Sequence, residues 1–141
     1  MNATRPNPII RAGLRACVVI ACAAATAAPT LPPETQQLLV AAVEAAAAVD
    51  FHNARCRSDE SGRHSHNLNK LLVSKLQITI MGVQDDLFPE HSFRAVQQRF
   101  QEQFTENLRA AGGCQMAKAA GLADQLNERY RQGIAAIEAL P

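Results

Sequence analysis

His64 and His66 stand two residues apart, and with His52 upstream they are the side chains here best suited to take a transition metal. Two imidazoles so spaced in an extended loop can approach one ion, and Asp59 or Glu60 would complete the shell. The pattern is weak, because it contains no Cys, no regular element fixes it, and a His-x-His pair in a polar stretch is ordinarily solvated. Haem held between Met and His axial ligands is the related chemistry. Met81 with His91 and Met116 with His52 are the pairs that topology could bring together, but no C-x-x-C-H attachment motif occurs. The reading therefore carries no cofactor and no metal site. A metal- or haem-binding periplasmic helical bundle is the alternative function, with His52, His64 and His66 as its ligand set.

Catalysis finds little support. Neither G-x-S-x-G nor H-E-x-x-H occurs, and Asp85-Asp86 has the composition of a solvated turn rather than of an acid/base pair. No catalytic residue is assigned, and the chain is read as a non-enzyme acting through its surface. Arg55, Arg57 and Arg63 carry the most usable chemistry, since guanidinium groups around a rigid loop can dock an acidic protein partner or an anionic surface. The counter-reading is local neutralisation by Asp59 and Glu60.

Residues 1–27 read as a signal peptide. No acidic residue precedes Glu34; Arg5, Arg11 and Arg15 supply a basic start, Ala16 to Ala25 an apolar run, and Ala25-Thr26-Ala27 the small residues of a cleavage site. Cleavage is placed after Ala27, which leaves a mature domain over 28–141 in the periplasm or outside the cell. The apolar run is shorter than the roughly 20 residues a membrane span needs, so no stable transmembrane anchor is expected after processing. Val19-Ile20-Ala21-Cys22 resembles a lipobox, which makes lipidation of Cys22 the competing outcome.

With the leader removed, eleven basic residues face thirteen acidic ones. Such a balance gives no counterion-release advantage on nucleic acid, and a chain with no Trp and the single Tyr130 offers no platform for stacking bases, so no nucleic-acid partner is expected. Two cysteines remain, Cys56 and Cys114. An even pair, far apart in sequence and in an oxidising compartment, is a disulfide rather than a redox or metal pair.

The elements that must position these residues are four helices separated by Gly- and Pro-bearing breaks. The first starts after Pro32-Pro33 with Thr35 as its cap, carries Val40, Val43, Ala47, Phe51 and Ala54 on one face, and ends near Cys56. A polar loop is expected from Arg57 to His66. The second helix then holds Leu68, Leu72, Leu76, Ile80 and Val83 on one stripe, running straight through the β-branched Gln77-Ile78-Thr79-Ile80. After a connection at Gln84–Phe88, Pro89 opens the third helix, whose stripe is Phe93, Val96, Phe100, Phe104, Leu108 and Ala111, stopped by Gly112-Gly113. The fourth runs from Cys114 to about Ala139 with Ala119, Leu122, Leu126, Tyr130, Ile134 and Ile137 inward, bent or broken near Gly121.

Short connections favour antiparallel neighbours, so the expected fold is an all-α, up-down-up-down four-helix bundle closed by one disulfide. In that topology the end of the first helix and the start of the fourth meet, where Cys56 and Cys114 lie. The same end should collect His52, Arg55, Arg57, Arg63, His64, His66, Arg109 and Lys118, with Asp85, Asp86, Glu90 and His91 at the other.

Overall fold

The computed structural model describes residues 30–141, so the expected leader over 1–27 lies outside the described residues. Six helices follow in order: α1 (Pro33–Arg57), α2 (Arg63–Leu76), α3 (Ile80–Leu87), α4 (Phe93–Ala110), α5 (Gly113–Ala119) and α6 (Leu122–Glu138). No strand occurs among the described residues. Two of the four expected helices are broken, and the causes are local.

The expected second helix divides at Gln77, which takes a left-handed conformation at the end of α2, and at Thr79, which is extended. Thr79 then caps α3 by accepting from the Gly82 N–H at 3.0 Å, and Asn69 Oδ1 accepts from the Ile80 N–H at 2.9 Å. Those two acceptors satisfy amides that a continuous helix would have bonded internally. Leu68, Leu72, Ile80 and Val83 nonetheless all point inward, because the break preserves the side of the chain that faces the core.

The fourth expected helix divides at Gly121, whose φ of +70° favours glycine and ends the run that began at Gly113. Gly112 separates α4 from α5 in the same way, at φ +88°. The third helix starts later than Pro89, which sits in a turn. Ser92 Oγ accepts from the Ala95 N–H at 3.5 Å and Asp85 Oδ1 from the Phe93 N–H at 2.6 Å, so the first turn of α4 is capped by two side chains before it. At this turn Glu90 pairs with Arg99, whose guanidinium also lies 4.9 Å from the Phe100 ring centroid. That ion pair holds the Glu90 carboxyl below its ordinary range.

The core gathers around α1. Its expected single face supplies only Val43 and Ala47 to the buried set, whereas Leu39, Ala42, Ala45, Ala46, Val49 and His52 are buried too. Ala side chains are short enough to let neighbours close in from several directions, and α1 packs against α2, α3, α4 and, most extensively, α6. Gly133 of α6 lies against Ala42, where an added Cβ would stand 3.3 Å from the Ala42 Cβ. Thr35 is buried rather than capping, and the α1 N-cap, Pro32, makes no side-chain cap. No helix among the described residues is long and apolar enough to cross a membrane.

Candidate functional site

On α1, His52 and Cys56 are four residues apart and therefore share a face; on α5, Cys114 and Lys118 are related in the same way. A disulfide joins Cys56 to Cys114 across 58 residues, with Cα atoms 5.4 Å apart. The bridge thereby sets the imidazole and the ammonium on either side of one gap. The start of α6 forms the third wall with Ala123 and Asp124, preceded by Gly121. The result is a cleft of about 640 Å³ that Arg57 and Gln115 also line.

His52 is only 5 % exposed, yet its ring nitrogens are not among the buried atoms left without a partner, so they open to the cleft. Arg57 and Lys118 are exposed, as are Arg55 and Arg63. Among the described residues none of these four cations lies within ion-pair distance of a carboxylate; the pairs that do form are His64–Asp50, Arg99–Glu90 and Arg131–Glu128. Asp59 is engaged elsewhere. Its carboxylate accepts from the Ser61 N–H at 3.1 Å, and hydrogen bonds from Ser61 hold its carboxyl below the ordinary range, with smaller contributions from the charges of Arg63 and His64.

Of the side chains expected at this end, the structure brings His52, Arg57 and Lys118 together in the cleft. Arg55 and Arg63 flank it in sequence without lining it, and Arg109 lines a separate shallow depression on α4. The loop expected over Arg57–His66 is shorter, Ser58–Gly62, and α2 already includes His64 and His66. Two residues apart on a helix, those imidazoles point about 200° away from each other and cannot approach one ion as a loop pair would. Among the described residues no three His, Cys, Asp or Glu side chains are grouped to hold a metal ion. Met81 and Met116 are 54 % and 59 % exposed, turned outward rather than into a core where an axial ligand would sit.

Sequence reasoning missed a second cluster. Asp50 lies on α1, yet its Oδ1 accepts from the backbone N–H and from Nδ1 of His64, at 3.1 and 2.9 Å, and its Oδ2 from the Ser65 N–H at 2.8 Å. The α2 N-cap is Gly62, which has no side chain to offer, so the carboxylate arrives from the neighbouring helix. Tyr130 of α6 closes the group: its hydroxyl donates to the His64 carbonyl at 3.3 Å, and its ring meets the imidazole edge-on with centroids 4.9 Å apart. Burial, and then the Asp50 charge, push the Tyr130 phenol above its ordinary value. The one sequence signal for this cluster was the lack of any capping side chain at the head of α2.

At the far end, Asp85 is taken up in capping α4, and its carbonyl lies 3.0 Å from His91 Nδ1. It is thus a helix-start residue and not one half of a carboxylate pair. Comparison of the chain with protein-family models, with curated proteins and with solved structures finds no match.

Proposed function

We propose that this chain is an exported, non-enzymatic helical protein that works by docking an acidic protein partner on its disulfide-bearing end. The observation that carries the reading is the set of cations there: Arg55, Arg57, Arg63 and Lys118 are exposed, and none forms an ion pair with a described carboxylate. Unpaired guanidinium groups on a covalently fixed end are suited to meet carboxylates on another protein, and they accelerate encounter as well as holding it. Residues 1–27 act as the signal peptide, with cleavage before Ala28, and the six helices are the continuous and broken rods of an up-down-up-down bundle. The disulfide and the lack of a spanning helix among the described residues support a periplasmic or extracellular site of action.

Two measurements test this. Intact mass of the exported protein should correspond to a chain beginning at Ala28; a lipidated Cys22 would replace that reading with a lipoprotein. Partner capture in the native compartment should weaken with salt and disappear when Arg55, Arg57 and Arg63 are all changed to Gln. Capture unaffected by that triple change would reject the basic end as the docking surface.

A further inference from the structure

We propose that the cleft beside the Cys56–Cys114 bridge receives a side-chain carboxylate of an acidic peptide segment, which His52, Arg57 and Lys118 hold. This rests on the docking reading above and names what the partner must present.

Three independent observations converge on it. His52 is 5 % exposed and lines the cleft, and no described residue bonds to it. The buried side-chain atoms left without a partner among the described residues belong to Gln84 and not to His52, so the imidazole nitrogens meet solvent, and a ligand group in the cleft would take the place of water on them. Arg57 and Lys118 reach the same space from the last turns of two helices whose backbones meet only around the disulfide, so the bridge is what fixes their separation. Finally, the space itself is about 640 Å³, within the range of roughly 300–1,000 Å³ typical of ligand sites and far larger than a single small ion requires.

The charges select among anions. Two cations, Arg57 and Lys118, share the cleft with one carboxylate, Asp124, which leaves one positive charge to be matched. A carboxylate matches it. A phosphate dianion brings a second negative charge beside Asp124, where like charges repel. Asp124 and the Gln115 amide are in turn suited to the N–H and C=O groups of the peptide backbone on either side of that carboxylate.

The experiment is calorimetric titration of the disulfide-bonded protein with hexaglutamate, with glutarate and with inorganic phosphate, together with NMR of the His52 ring. Hexaglutamate should bind and shift the His52 resonances, and Lys118→Gln should weaken it about tenfold or more, the scale of one charge-assisted hydrogen bond. Lys118 is exposed, so this variant reports on binding rather than on folding. His52→Phe, which fills similar space with neither donor nor acceptor, should also weaken binding while its melting curve shows a folded protein; binding unchanged by it would remove His52 from the site. If hexaglutamate binding is unchanged by Lys118→Gln and lost on Arg55→Gln with Arg63→Gln, the cleft assignment is overturned while docking on the basic end stands. No binding of hexaglutamate by the unaltered protein overturns both. Glutarate or phosphate bound as tightly as the peptide overturns the peptide as occupant.

Discussion

Asp50 caps a helix to which it does not belong: its carboxylate bonds the first amides of α2 and, at 2.9 Å, the Nδ1 of His64. The α1–α2 angle is thereby fixed by a charge-assisted contact as well as by Leu68 and Leu72 in the core. Replacing Asp50 by Ala removes three hydrogen bonds from partly buried donors. The expected loss is about 1–3 kcal/mol, read as a lower urea midpoint with an unchanged slope. Asp50→Asn, which keeps one acceptor oxygen, should lose less.

Gln84 is fully buried in α3, and neither its amide nitrogen nor its oxygen has a hydrogen-bond partner among the described residues. An unmatched buried amide costs its desolvation without return. Gln84→Met, of similar length and wholly apolar, should therefore raise stability by about 1–3 kcal/mol and shift the melting temperature upward. A fall in melting temperature would show that the amide is satisfied in solution.

The disulfide closes a segment of 58 residues and should stabilise the fold by about 4 kcal/mol through the unfolded chain. Reduction, or Cys114→Ser, is expected to lower the melting temperature while leaving most of the helical circular dichroism. Covalent dimers or free thiols in protein purified without reductant would contradict the pairing.

Tyr130 gives an alkaline limb to the stability profile. Burial and Asp50 raise its folded-state value above the unfolded one of about 10, so the unfolded chain loses its proton first as pH rises. Its contribution is complete below about pH 10 and is lost progressively above it, when the phenolate can no longer donate to the His64 carbonyl. Tyr130→Phe should flatten that limb in denaturant titrations between neutral and strongly alkaline pH, with a small loss at neutral pH from the missing bond.

Phe-rich α4 was the most legible part of the chain: Val96, Phe100 and Leu108 are buried where the stripe put them, because large side chains leave one energetically acceptable face. The Ala-rich α1 was the least. A stripe of Ala states that neighbours can come close but not how many do, so its central position could not be read from spacing. The breaks at Gln77–Thr79 and the late start of α4 depend on Asn69 and Asp85, residues 11 and 8 positions from the amides they bond, beyond the reach of a local capping pattern. The candidate site divides in the same way. His52, Arg57 and Lys118 followed from which helix ends must meet once Cys56 pairs with Cys114. That they share a cleft, and that Arg55 and Arg63 stay outside it, depends on side-chain directions that only the folded chain defines.

The extensive packing of α1 on α6 sets an order of events on the ribosome. Among the described helices α1 is synthesised first and α6 last, so Ala42 cannot meet Gly133 until nearly the whole chain has been made. Cys56 likewise waits for Cys114. Until then α1 has its packing on α2, α3 and α4 but not its largest one, on α6. In a chain of this design the core is completed only when the last helix is available, so its final packing and its covalent closure both fall late in synthesis.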